Sequence, residues 1–154
     1  MGEPVRGSWL PGRLVVVTGA SRGIGAATAA ALANAGAHVV LAARDRHALD
    51  DVAGRIKDAG GTATPVPTDV ADEAAVQRLF SEVSSIGQVS GLVCAAGVLT
   101  NVPFAETTST TWRETLAVNL TGAFYCCRAA FSPSSRWASF FNASAFGASG
   151  FRAR

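Results

Sequence analysis

Leu14-Val15-Val16-Val17 runs straight into Thr18-Gly19-Ala20-Ser21-Arg22-Gly23-Ile24-Gly25, and an alanine-rich stretch then continues to Ala35. Few folds accommodate that succession. A short run of β-branched residues suits a strand buried on both faces. The glycines allow a tight turn, the alanines a helix, and Gly36 its C-terminal stop. A helix that starts this way leaves backbone N–H groups unpaired, and its dipole adds positive potential at the same end. Glycine removes the Cβ that would keep a phosphate away from the main chain. The turn therefore reads as a nucleotide phosphate site, with a ligand-free βα turn as the bland alternative.

The rest of the chain repeats the alternation. Val39-Val40-Leu41-Ala42 reads as a second strand, followed by a helix from near Asp45 with Leu49, Val52 and Ile56 on one face. A weaker third strand is expected over 62–66. Asp72 then caps a helix whose apolar face is Val76, Leu79, Phe80 and Val83. Leu92-Val93-Cys94-Ala95 supplies a fourth strand, a long helix is expected over 111–131, and a fifth strand over 138–142. Strands alternating with helices predict an α/β fold, a doubly wound parallel sheet with right-handed crossovers. The expectation is a single domain over 1–154, incomplete on its C-terminal side. Within it, 132–154 forms an atypical tail holding six serines, four phenylalanines and no acidic residue.

Composition narrows the classes. The 154 residues carry a net charge near +2, which gives no electrostatic case for nucleic acid or an anionic membrane. No apolar run approaches the ~18 residues of a membrane span, and no signal peptide or acylation motif is read at the N-terminus. Cys94, Cys126 and Cys127 show no metal-ligand spacing, so no metal is expected, and an odd count fits a reducing cytoplasm.

Several segments together identify a family. Thr18 to Gly25 resembles the T-G-x-x-x-G-x-G cofactor motif of short-chain dehydrogenase/reductases, and within it Thr18, Gly19, Ser21, Arg22, Gly23, Ile24 and Gly25 take the cofactor positions. Asp69-Val70 resembles the acidic adenine contact after strand three. Cys94-Ala95-Ala96-Gly97 resembles the N-N-A-G segment after strand four, with Cys in place of the first Asn, so Ala95, Ala96 and Gly97 join the cofactor set. Asn119, in Val118-Asn119-Leu120-Thr121-Gly122, matches the asparagine of the catalytic tetrad. The resemblance spans about Leu10 to Phe131 and is closest to 3-oxoacyl-carrier-protein reductase-like members. It implies a Rossmann-type fold, a pyridine nucleotide, a small-molecule carbonyl or alcohol substrate, and homo-oligomers whose usual surface is largely missing from this chain.

Charge bears on which nucleotide. An NAD binder usually ends its second strand with an acid on the ribose hydroxyls. Here Ala43 holds that place and Arg44 follows it. An acid would repel a 2′-phosphate, whereas Arg44, with Arg22 as second cation, would clasp it. NADP(H) is thus preferred and NAD(H) is the alternative, with nearby Asp45 diluting the preference.

The catalytic half is thinner. The family's proton donor is a tyrosine in a Tyr-x-x-x-Lys pair, a phenol that needs help because its unperturbed pKa is ~10. The one tyrosine, Tyr125, has Ala129 four residues on, and the one lysine, Lys57, lies on the second helix. Packing is the role expected of Tyr125. Ser144 is the candidate for the catalytic serine by its spacing to Gly147 and Gly150, although from Asn142 the slot falls on Ala145. Asn119 has a plainer alternative as a buried amide bonded to backbone. Three readings stay open: a dehydrogenase impaired in catalysis, a non-catalytic NADP(H)-binding module, and the non-functional product of a truncated or frame-disrupted gene. Unpartnered apolar faces on strands one, four and five are expected to make the chain associate.

Overall fold

The computed structural model describes residues 9–131 and the backbone of 139–142. Its centre is β1 (Leu14–Thr18), flanked by β2 (His38–Ala43) and β4 (Val89–Cys94). Outside them lie β3 (Thr62–Pro67) and β5 (Ser139–Asn142), so the sheet is five-stranded, wholly parallel and ordered β3-β2-β1-β4-β5. The expected α/β architecture is present. Strand order reverses at β1, which opens a crevice beyond the C-terminal ends of β1 and β4, the usual place for a ligand in such sheets.

Alternation along the strands builds two cores. Leu14 and Val16 of β1 join Val40, Leu92 and Cys94 on one face, under α3 (Glu73–Ile86) and α5 (Ala123–Ala130). Val15 and Val17 join Val39, Leu41 and Val93 on the other, under α1 (Gly23–Asn34) and α2 (Arg46–Asp58). A parallel strand covered on both sides must be apolar throughout, and all five residues of β1 are buried. In α1 the buried positions are Gly25, Ala29 and Ala33, small residues that let the helix axis approach the sheet.

This packing corrects one expectation. The faces of β1 and of residues 91–94 in β4 are covered, not bare. Exposed apolar side chains lie elsewhere, on Trp9, Leu99 and Phe104 and on the last helical unit, where Trp112, Leu120, Phe124 and Phe131 are each more than half exposed.

The same unit departs from the uninterrupted helix expected over 111–131. It starts earlier, as α4 (Ser109–Leu116), passes through a π-helical turn (Ala117–Gly122) and resumes as α5. The turn has a physical cause at each end. Asn119 is drawn out to the loop after β4, and Gly122 packs so close to Val70 that a Cβ there would stand 2.8 Å from its Cγ2. Arg128 then ties α5 to α3 through an ion pair with Glu73, and its guanidinium lies over the Phe124 and Tyr125 rings. Tyr125 is half-buried against the core, the packing role expected of it, and Lys57 is exposed on α2. No helix among the described residues is long and apolar enough to cross a membrane.

Candidate functional site

The segments that follow β1, β2, β3 and β4 meet the π-helical turn in a cleft of about 1120 Å³ at the C-terminal edge of the sheet. The floor is the β1–α1 turn. Gly19 has φ +66, and a Cβ on it would lie 2.5 Å from the Ala95 carbonyl oxygen. A Cβ on Gly25 would lie 2.2 Å from the Gly19 carbonyl oxygen. Both contacts are backbone against backbone, so neither can yield by a rotamer change. The two glycines bring the turn, the start of α1 and the segment after β4 together in one shell. Thr18 locks that shell from behind, being buried, donating to the Val93 carbonyl at 3.5 Å and accepting from the Ala96 N–H at 3.3 Å.

The four helix starts differ in a telling way. Asp45, Asp72 and Thr108 cap α2, α3 and α4 with side-chain oxygens that accept from Ala48, Ala74 and Thr111 N–H groups. Arg22, at the start of α1, provides no such cap, and the first turn of α1 holds no acid. Its leading N–H groups and the positive end of its dipole are left to the cleft.

Charge in the cleft is confined to one side. Arg22 and Arg44 line it, and neither joins an ion pair among the described residues. Asp45 lines it too, with one carboxylate oxygen 3.1 Å from the Ala48 N–H. Asp69 accepts from the Ala71 N–H at 3.0 Å, and the neighbouring Thr68 is buried, with its hydroxyl on the Val66 carbonyl and its N–H on the Ala43 carbonyl. Across the cleft Ala95, Ala96 and Gly97 form a small-residue wall that continues into Val98 and Leu99. Asn119 closes that side. Its Oδ1 accepts from the Val98 N–H at 2.8 Å and its Nδ2 donates to the Val98 carbonyl at 2.9 Å, so the amide clamps the loop as a neighbouring strand would.

The structure thus gathers Gly19, Ser21, Arg22, Gly23, Ile24, Gly25, Arg44, Asp69, Val70, Ala95, Ala96, Gly97 and Asn119 around one space. Thr18 stands behind its wall, and Ser144 lies outside the described residues. Thr68 and Val98 were missed by the sequence reading. Thr68 had a local signal, a hydroxyl at the end of a strand beside Asp69. Val98 had none, because its backbone partner lies 21 residues away.

A second cluster sits beneath the cleft. Hydrogen bonding to the Cys126 thiol, then burial, raises the Cys94 pKa far above its ordinary value. Burial pushes the Cys127 thiol up to about 11. All three are free thiols, and the reactive thiolate is disfavoured at Cys94 and Cys127.

Comparison with known proteins places this geometry. The model of the short chain dehydrogenase family matches residues 13–142. The chain is 42% identical over 116 residues to a cis-4-hydroxycyclohexanecarboxylate dehydrogenase of Sinomonas cyclohexanicum, covering 74% of this chain and 46% of that one. A citronellol catabolism dehydrogenase of Pseudomonas aeruginosa PAO1 superposes with a TM-score of 0.83 at 34% identity, over 89% of this chain and 57% of that one. A 3-oxoacyl (acyl-carrier-protein) reductase of Agrobacterium tumefaciens C58, solved with NADP bound, gives 0.75 at 35% identity, over 85% and 50%. The chain spans half or less of the length of the curated relatives it matches.

Proposed function

The chain belongs to the short-chain dehydrogenase family, and from that premise we propose that its cleft binds NADP(H) in preference to NAD(H) and descends from an alcohol–carbonyl oxidoreductase. One observation carries the cofactor choice. Arg44 stands just after β2 with Ala43 before it, and neither it nor Arg22 is neutralised by a partner among the described residues. The acid expected to dilute this, Asp45, keeps its charge with one oxygen held on the Ala48 N–H as the cap of α2, and the two guanidiniums outnumber it at the ribose end. The open start of α1 and the Gly19–Gly25 cradle suit a pyrophosphate; Asp69 suits an adenine amino group.

The bound nicotinamide would supply or accept a hydride. What this chain contributes is position. Thr18 holds the ends of β1 and β4 in register, and Asn119 fixes the loop after β4 by its two bonds to Val98, which makes it a positioning residue. Neither Tyr125 nor Lys57 lines the cleft, and they are the only tyrosine and lysine in the 154 residues. That supports a second reading alongside ancestry, in which the chain binds the cofactor and turns over little or nothing. General acid assistance of typically 10²–10⁴-fold would be lost with the pair.

Titration calorimetry with NADPH and NADH tests the cofactor reading. The expected result is NADPH bound at least about tenfold more tightly. Arg44→Ala removes most of that difference, since a charge-assisted contact contributes about 1.5–3 kcal/mol. Equal affinities unaffected by Arg44→Ala would refute it. A steady NADPH absorbance with simple ketones, beside intact binding, would support the non-catalytic reading; steady oxidation would overturn it.

A further inference from the structure

All three cysteines of the chain meet in one core, behind the wall of the cleft. Cys94 ends β4, in register with Thr18 of β1. Cys126 and Cys127 follow one another on α5, which packs against the same core. Both reach Cys94, whose thiol shares hydrogen bonds with each of them. Cys94 and Cys126 are buried and Cys127 is only partly so, which makes Cys127 the sulfur that an oxidant in solvent meets first. Cys94 is also tied to the cleft through the chain itself. Ala95 comes next, its carbonyl oxygen 2.5 Å from a Cβ built on Gly19, and then Ala96, whose N–H donates to Thr18 at 3.3 Å.

We propose that Cys94 and Cys127 are a redox pair, which hydrogen peroxide closes into a disulfide that straps β4 to α5 and loosens the wall of the cleft. The Cys127 thiolate attacks one peroxide oxygen, the O–O bond breaks, and a sulfenic acid forms as hydroxide takes up a proton and leaves as water. Cys94 sulfur then attacks that of Cys127, the S–O bond breaks, and the departing hydroxide carries off the Cys94 proton as a second water. Two thiols thereby give two electrons and two protons to one peroxide, which becomes two waters. Burial pushes the Cys127 thiol up to about 11, so little thiolate is present at neutral pH and the pair answers a sustained oxidant, slowly. Hydrogen-bonded thiols stand farther apart than the ~2.05 Å of a disulfide, so closure draws the end of β4 and α5 together. Cys94 cannot move without Ala95 and Ala96, and the long bond from Ala96 to Thr18 is the first to yield.

Incubation of the chain with hydrogen peroxide, followed by peptide mass mapping without reductant, tests the pair. The expected product is lighter by about 2 Da, links the peptides of Cys94 and Cys127, and reopens with dithiothreitol. Fragmentation between Cys126 and Cys127 locates the bond in the unsubstituted chain. Cys126→Ala should keep the link and Cys127→Ser should lose it. Hydrogen exchange at the Ala96 amide should run at least about tenfold faster in the oxidised form and slow again on reduction. A chain that stays unlinked, unmodified or carrying oxygen on Cys127, would overturn the pair, as would a link that runs to Cys126. A link that leaves Ala96 exchange unchanged would overturn its hold on the cleft. None of these readouts needs a nucleotide. NADPH affinity, which should fall on oxidation and return with reductant, rests in addition on the NADP(H) reading; a reduced chain that binds no NADPH would sink that reading while mass and exchange still decide this one.

Discussion

Gly19 and Gly25 are each in a position that a single methyl group would break. The atoms in the way are main-chain carbonyls, at 2.5 Å from a Cβ on Gly19 and 2.2 Å from one on Gly25. Relief would need the β1–α1 turn to move away from the β4 wall for Gly19, and to open between Gly19 and α1 for Gly25. Gly25→Ala is expected to cost about 3 kcal/mol or more, near the upper end of overpacking penalties, and to abolish nucleotide binding. Gly54 gives the opposite expectation. It lies inside α2 with nothing within 4 Å of a built Cβ, so Gly54→Ala should stabilise by about 0.5–1 kcal/mol through helix propensity alone. Urea midpoints of the two variants check both signs. The places of the glycines, Arg44 and Asp69 at the cleft were legible in the sequence because they follow from neighbours within a few residues. The commitment of Asn119 to Val98 was not. It joins a helix to a loop 21 residues earlier, and nothing local marks Val98 as its partner.

Strand and helix boundaries were legible where a cap or an apolar run set them. Asp45 and Asp72 cap α2 and α3 as their positions imply, and β1 follows its β-branched run. The π-helical turn was hidden because Ala117 to Gly122 carries ordinary helix-compatible residues; its cause is a tertiary pull at Asn119 and a close approach at Gly122. Asn119→Leu should leave the Val98 N–H and carbonyl without their partners at a partly buried site, at about 2 kcal/mol. Faster hydrogen exchange at the Val98 amide would report the loss directly; unchanged exchange would mean that the clamp is not what orders the loop. At the other end of the sheet, His38 Nε2 and Thr64 Oγ1 pair at 2.8 Å between β2 and β3. Burial lowers the His38 pKa from its ordinary value. The folded state then prefers the neutral ring, so its contribution is fully present above the unfolded-state pKa of about 6.5. It is lost as pH falls through that value and past the lowered one. Melting midpoints should decline from pH 7.5 to 5, and His38→Asn should flatten the decline; an equal slope in the variant would remove His38 as its source.

Across the described residues, β1 and residues 91–94 of β4 are buried, and four of the exposed large apolar side chains lie on the α4–α5 unit. Trp112, Leu116, Leu120, Phe124 and Arg128 recur at four-residue intervals, with Phe131 after them. In a regular α-helix each such interval drifts by about 40°, so Trp112 and Phe124 would face directions about 120° apart. The wider π-helical turn between them takes up much of that drift. Trp112 is 55% exposed, Leu120 63% and Phe124 54%. One distortion thereby serves two ends, aiming Asn119 inward at Val98 and lining up an apolar stripe outward. A contiguous stripe of large side chains in water favours association, because each aromatic ring can remove on the order of 150–250 Å² from solvent when fully covered. The sequence pointed to association from bare faces on strands one, four and five; β1 and residues 91–94 of β4 are buried, and this helix offers an exposed apolar surface instead. Sedimentation velocity at tens of micromolar should show the chain heavier than its 15.7 kDa monomer. The variant Trp112→Ser/Leu120→Glu/Phe124→Ser should shift it to the monomer while NADPH affinity stays the same, since none of the three lines the cleft. A wild-type chain that sediments as a monomer at that concentration would show the stripe to be tolerated surface. A variant that still associates would place the contact elsewhere.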